Sequence, residues 1–271
     1  MKIFNNKVKL KKEILSKKNL FFVPTMGALH SGHISLIKKA QKKDSTVIVS
    51  IFVNPRQFNN KIDFKGYPKN MNRDLNLLRK LKIDYLYKPT YDDIYSFKTK
   101  NRIYLDKFNN KLCGKLRKNH FKGVIDVVNR FLEIIKPQKI LLGLKDFQQV
   151  ILIKKHIKKR KIKTKIISCK TIRENNGIPC SSRNEKLNFN QHKIASDVFK
   201  LLKKEKKLLK KKSHKFNEFN LKKKIINLGV QKIDYVKCLD LKKINYTKNF
   251  NIKFNIFIAY YINNVRLIDN I

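Results

Sequence analysis

Between residues 20 and 168, short apolar runs rich in β-branched and aromatic residues alternate with longer stretches whose apolar positions recur at helical spacing. Continuous short runs suit strands buried on both faces, and the longer period suits helices packed on them. The pattern predicts strands at 20–24, 46–53, 83–87, 139–142 and 165–168, with helices at 34–43, 70–81, 124–135 and 147–159. Strands joined by crossover helices make a parallel sheet, so the expected fold class is α/β. After about Arg183 the texture changes to two basic helical stretches, 191–212 and 216–228, followed by strands near 234–238 and 255–262. A smaller α+β domain over 176–271, following a first domain over 1–175, is therefore expected.

Composition adds a core and a puzzle. With 271 residues and 42% hydrophobic content the chain can bury a substantial interior. Its 65 Lys plus Arg against 19 Asp plus Glu give a formal charge of +46, which by itself suggests a polyanion partner. The cations are spread from Lys2 to Lys253, however, and the densest run, 203–212, has no interleaved aromatics to stack on bases. Leu208 and Leu209 within that run suit one buried face of an amphipathic helix. Lys, Asn and Ile share adenine- and thymine-rich codons, so dispersed lysine fits mutational bias at solvent-facing positions, and no specific nucleic-acid partner is expected. Cys113, Cys169, Cys180 and Cys238 form no CxxC pair, which points away from zinc and disulfides and toward a reducing cytoplasm. No apolar run approaches the roughly 18 to 20 residues that span a bilayer, so no membrane partner is expected. Chemical motifs begin near Pro24, leaving little room for a presequence.

The first strand runs into Pro24-Thr25-Met26-Gly27-Ala28-Leu29-His30-Ser31-Gly32-His33 and then a helix. Ligands of open parallel sheets sit beyond the carboxyl ends of strands, where a helix N-terminus offers free amides and a positive dipole to phosphate. Gly27 and Gly32 let backbone approach a nucleotide closely, and His30 and His33 can donate to an α-phosphate and its leaving group. The same two histidines could instead cap the helix or bind a metal. A metal would need a third ligand, and the nearest carboxylate, Asp44, lies at the far end of that helix.

The second strand ends in Val53-Asn54-Pro55-Arg56-Gln57, which places the amides of Asn54 and Gln57 toward the same crevice. Amides both donate and accept, and so can hold a small polar acid, although Asn-Pro alone reads as a turn. Gly143-Leu144-Lys145-Asp146 follows a further strand and opens a helix carrying Gln149. Lys145 can reach a phosphate and Gln149 the acid. Cys180-Ser181-Ser182-Arg183 supplies hydroxyls and a guanidinium for bidentate phosphate contact.

In order and spacing these blocks resemble the pantothenate synthetase family of HxGH nucleotidyltransferases. The resemblance extends to Arg117-Lys118-Asn119-His120-Phe121-Lys122-Gly123-Val124, to Tyr67-Pro68 with Asp74, and to Arg266-Leu267-Ile268-Asp269-Asn270, nearly the whole chain. It implies a Rossmann-like nucleotide-binding domain over which a smaller C-terminal domain closes, as a homodimer. The implied reaction is ATP-dependent joining of pantoate to β-alanine through a pantoyl-adenylate. Met26, Gly27, Ala28, Leu29, His30, Ser31, Gly32 and His33 would contact ATP, with His33 as acid or phosphate stabiliser. Gly143, Leu144, Lys145, Asp146, Cys180, Ser181, Ser182 and Arg183 would complete the ATP site, and Ile172 would give a backbone contact to adenine. His30, His33, Lys145 and Arg183 would stabilise the transition state. Gln57 and Gln149, with Asn54, would hold pantoate, and Gln57 also β-alanine. Mg²⁺ would accompany ATP, with Asp74 the one carboxylate kept open as a metal contact. The loop at Ser181 to Arg183 resembles the mobile Lys-Met-Ser-Lys-Ser loop of class I aminoacyl-tRNA synthetases. This chain departs from the family at Leu144, where Glu is usual, at Lys118 and Asn119, where Pro and Gly are usual, and at Cys180, where a larger apolar residue is common. The competing expectations are a related HxGH enzyme acting on a phosphorylated cofactor precursor and a basic nucleic-acid-binding protein.

Overall fold

In the computed structural model, which describes residues 1–271 except 43, 60 and 212–214, six strands share one sheet: β1 (Lys2–Phe4), β2 (Leu20–Thr25), β3 (Thr46–Ile51), β4 (Tyr85–Tyr87), β5 (Lys139–Gly143) and β6 (Lys165–Cys169). Their order is β1-β4-β3-β2-β5-β6, and every pairing is parallel. Helices α1 (Lys7–Ile14), α2 (Ser31–Ala40), α3 (Lys61–Lys65), α4 (Met71–Lys80), α5 (Tyr91–Tyr95), α6 (Leu112–Leu116), α7 (His120–Ile135) and α8 (Phe147–Lys159) complete this unit, Met1–Thr171. From β2 the chain builds outward through β3 and β4, then returns to start β5 on the other side of β2. Such a reversal opens a crevice beyond the carboxyl ends of the two central strands, here β2 and β5.

Successive strand residues face opposite sides of a sheet, so β2 feeds two layers. Phe21 and Val23 join Val47 and Val49 in a core with Leu36, Ile37 and Ala40 of α2 and Leu78 of α4. Phe22 points the other way and packs on Phe131 of α7, ring centroids 5.3 Å apart. Burial on both faces is why these strands read as unbroken apolar runs.

On that second side α8 carries His156, fully buried, which ties down the 101–106 segment. Its Nδ1 accepts the Tyr104 N–H at 3.1 Å, and its Nε2 lies 3.1 Å from Asn129 Oδ1. Burial, helped by the Arg160 charge, lowers its pKa from 6.5 to about 4. The folded protein thus keeps His156 neutral where the unfolded chain would protonate it. Its contribution to stability is complete above pH 6.5 and drains away as the pH falls toward about 4. Denaturant midpoints measured through this window should fall with pH, and His156→Gln should flatten the slope by about 1.4 kcal/mol per pH unit. An unchanged slope would show that this histidine does not titrate with folding.

The second unit is Ile172–Ile271. Strands β7 (Lys232–Asp240), β8 (Asn245–Tyr246), β9 (Phe254–Ile262) and β10 (Val265–Asn270) form an antiparallel sheet in the order β10-β9-β7-β8. Helices α9 (Phe189–Lys210) and α10 (Glu218–Asn227) pack on it, α9 through Ala195, Val198, Leu202 and Leu209. That spacing is one helix face, and Lys203, Lys204, Lys207 and Lys210 stand exposed beside it. The α/β class with a smaller α+β domain is the architecture observed. No helix of the described residues is long and apolar enough to cross a membrane.

Differences from the sequence pattern lie mostly at element ends. The helix expected at 34–43 starts at Ser31, since His30 caps it, and ends at Ala40; Lys43 lies outside the described residues, as does the 212 end of the long basic helix. The helix expected at 124–135 begins at His120. Elements β1, α1 and β10 carry no run long enough to stand out.

Candidate active site

Thr25 ends β2 with its hydroxyl donating to Ser50 O at 2.6 Å, and the chain then turns through two left-handed residues, Gly27 (φ 82°) and Ala28 (φ 48°). A side chain at Gly27 would bring its Cβ within 3.0 Å of Asp74 Oδ2. Left-handed alanine costs roughly 1–2 kcal/mol, which the surroundings must offset. The offset comes from Asp74 of α4, 1% exposed, whose two carboxylate oxygens accept the Ala28 and Leu29 amides at 2.8 Å each. Charge-assisted bonds of this length are the strong ones. Asp74 thus holds the loop, and among the described residues no three His, Cys, Asp or Glu side chains gather as a metal cluster.

This turn delivers His30 to the N-cap of α2. Its Nδ1 accepts the Gly32 N–H at 3.1 Å, while His33 Nδ1 accepts the His30 N–H at 3.4 Å. Capping is therefore real, and it has a chemical consequence. Each ring uses its Nδ1 lone pair on a backbone amide, so the proton sits on Nε2 and points away from the cap. The ring centroids are 4.1 Å apart. Burial lowers the His30 pKa from 6.5 to about 4, with Lys145 adding to the effect, and burial, His30 and Lys145 push His33 well below 6.5. Both rings are thus neutral donors at pH 7.

The β5 end supplies the facing wall. Gly143 closes the strand with open space where a Cβ would be, nothing lying within 4 Å, so a ligand can approach its backbone. A 3-10 turn, Leu144–Asp146, follows, and the charges of Lys145 and Asp146 act on His30. Leu144 opens that turn. In the first turn of α8, Gln148 is buried and donates to Phe108 O at 2.8 Å and Lys111 O at 2.7 Å. Gln149, one position on, is rotated off that face and half-buried.

Asn54 caps a 3-10 turn, Pro55–Gln57, and is 1% exposed. The sequence directs its amide to the acid substrate, but four protein groups occupy it. Its oxygen accepts the Tyr95 hydroxyl (2.9 Å) and the Arg56 N–H (3.2 Å), while its nitrogen donates to Gln57 Oε1 (3.3 Å) and Gly123 O (3.2 Å). Asn54 therefore orients Gln57. The Gln57 Nε2 rests against Met26 Sδ, a weak acceptor that a stronger one can replace. Asn119 has φ 63°, and Asn is a residue type that tolerates the left-handed region.

In the second unit, Ile172 O accepts the Cys180 N–H at 3.0 Å, and Arg173 bridges Pro179 across a tight loop. Asp269 of β10 grips Arg173 with two bonds, 2.8 and 2.9 Å, which gives the C-terminal motif a structural role that sequence alone did not reveal. Ser181 caps the 3-10 turn Ser182–Lys186, its Oγ accepting the Arg183 N–H at 3.3 Å. Asn184, unremarked in the sequence, donates to Glu174 Oε1 (2.6 Å) and Pro179 O (3.1 Å). Cys180 and Ser182 are buried, and Ser181 and Arg183 are half-buried. Of these four residues the more exposed side chains are thus one hydroxyl and one guanidinium.

The chain matches the family model for pantoate-beta-alanine ligase over residues 2–271. It is 40% identical over 262 residues to the pantothenate synthetase of Francisella tularensis subsp. novicida (strain U112), covering 96% of this chain and 92% of that protein. Among solved structures it is similar to the pantoate-beta-alanine ligase from Francisella tularensis complexed with beta-gamma ATP and beta-alanine, at 39% identity and TM-score 0.83, covering 100% of this chain and 97% of that one. The pantothenate synthetase from Thermus thermophilus is 26% identical with TM-score 0.90, covering 100% and 99%.

Proposed function

The chain belongs to the pantoate-beta-alanine ligase family, and from that membership we propose that it activates pantoate with ATP as a bound pantoyl-adenylate before passing the pantoyl group to β-alanine. Amide formation from a carboxylate needs a better leaving group than oxide, and adenylation supplies one. The pantoate carboxylate attacks the ATP α-phosphorus and pyrophosphate leaves; the β-alanine amine then attacks the acyl carbon and AMP leaves. The observation that carries this reading is the pair of neutral imidazoles at the N-terminus of α2, each with Nδ1 on the helix cap, which leaves Nε2–H as the donor, and each under the charge of Lys145.

Donors preorganised where negative charge develops are the chief device of such sites. His30 and His33 donate to the phosphoryl oxygens, and Lys145 and Arg183 balance the charge passed to pyrophosphate. Met26 to Ser31, Gly143 to Asp146, the Ile172 backbone and Cys180 to Ser182 line ATP. Gln57 trades Met26 Sδ for pantoate and later β-alanine, and Gln149 holds pantoate from α8. Mg²⁺ would arrive on the ATP phosphates, and Asp74, the carboxylate kept open as its contact, also accepts the two loop amides. That ion, when bound, neutralises phosphate charge. A homodimer working in the cytoplasm belongs to the same proposal.

Incubation with ATP, Mg²⁺, pantoate and β-alanine should yield AMP and pantothenate in equal amounts. Pyrophosphate release with a phosphorylated cofactor precursor in place of pantoate would favour the related nucleotidyltransferase chemistry instead. The charge is separable from this chemistry. Replacing Lys203, Lys204, Lys207 and Lys210 with Gln should reduce retention on DNA at low salt and leave pantothenate formation unchanged. Sequence-dependent binding that survives about 0.2 M salt and disappears in that variant would make nucleic acid a partner.

A further inference from the structure

We infer that His120 is a positioning residue for the acid-binding end of the site, acting through the main chain of Gln57. The inference rests on the reading of Gln57 as a substrate contact. His120 is the first residue of α7, and its Nδ1 lies 2.6 Å from Gln57 O. On the other side of the ring, Nε2 lies 3.2 Å from Arg117 NH1. A carbonyl can only accept and a guanidinium can only donate. Only the tautomer with its proton on Nδ1 and its lone pair on Nε2 satisfies both, the reverse of His30 and His33. Arg117 NH2 is in turn 4.0 Å from Asp63 Oδ2, a longer ion pair that steadies the guanidinium.

The turn that carries Gln57 needs such support. It is one short 3-10 turn, closed by Gln57 N to Asn54 O at 3.3 Å and Phe58 N to Pro55 O at 3.1 Å. The first residues of α7 and the segment just before it grip the turn and its neighbours. Asn54 donates to Gly123 O at 3.2 Å, and Asn59 Nδ2 donates to Lys118 O. The approach at Gly123 is so close that a Cβ there would lie 2.1 Å from Arg56 O. Within this grip, His120 is the side chain that fixes the peptide of Gln57, while Asn54 fixes its amide. Main chain and side chain of one residue are thereby set independently, which the fine alignment of a bound acid requires.

The isosteric replacements separate positioning from bulk structure. An Asn amide nitrogen overlays the position of His Nδ1, and a Gln amide nitrogen overlays Nε2. His120→Ala and His120→Gln should raise the KM for pantoate about tenfold or more, while the KM for ATP stays within about twofold. His120→Asn should restore most of the loss. In a Gln57→Ala background, His120→Ala should add no further change in pantoate KM, because its route to the substrate has been removed. Thermal midpoints of all variants identify any that fail to fold. Equal effects of Asn and Gln, a parallel rise in both KM values, or an additive double variant would overturn the proposal. A Gln57→Ala protein with unaltered pantoate and β-alanine dependence would sink the reading of Gln57, and this inference with it.

Discussion

His33→Ala is expected to slow pantoate-dependent pyrophosphate release about 100- to 1,000-fold, the usual effect of removing one preorganised donor. His30→Ala should follow with a smaller loss. Replacing His33 takes away its Nε2–H and also the Nδ1 that accepts the His30 amide. Losing that cap costs about 1 kcal/mol, so the variant should fold and bind substrates. A Gln at position 33 keeps a donor near Nε2 and should recover part of the rate. Because desolvation holds His30 to a pKa of about 4 and His33 well below 6.5, the active form is the neutral one. The adenylation rate should therefore not decline as the pH rises through 6.5, the ordinary histidine value. Near-parental pyrophosphate release by a folded His33→Ala protein would remove this residue from the chemistry.

Gln57→Ala and Gln149→Ala should each weaken pantoate use by about 1.5–3 kcal/mol in kcat/KM, the value of a hydrogen bond to a charged group, with ATP binding little changed. The two amides approach from different elements, Gln57 from the turn after β3 and Gln149 from the first turn of α8. Only Gln57 should also alter the β-alanine dependence, which distinguishes a shared contact from a pantoate-only one. Reduced ATP affinity with unaltered pantoate dependence would mean that the pocket is oriented the opposite way.

Much of this arrangement is legible in the chain itself. The runs that become β2, β3 and β5 stand out because both sheet faces are covered, and α8 is framed by its own apolar period to the residue, Phe147–Lys159. Histidines, Lys145 and Gln57 lie at strand ends, where position follows from topology alone. What sequence cannot convey is competition for a side chain. Asn54 and Gln57 look alike as amides after a strand, yet Tyr95 and Gly123, far away in the chain, claim the first and leave the second against a thioether. Asp74 looks like a metal contact in the sequence, which does not show that its two oxygens accept two amides of the β2 loop. Element β10 is short and half polar, but Asn263 at φ 49°, between Ile262 and Val265, is a turn residue that marks its hairpin.

The adenylate is the central claim, and the fate of one oxygen atom tests it. With pantoate carrying heavy oxygen in its carboxylate, complete turnover should leave one labelled oxygen in the phosphoryl group of AMP, because the bond made to phosphorus in the first step persists when the amine expels AMP in the second. Label in inorganic phosphate formed alongside ADP would contradict the account, since it would place the attack at the γ-phosphorus, as would AMP free of label.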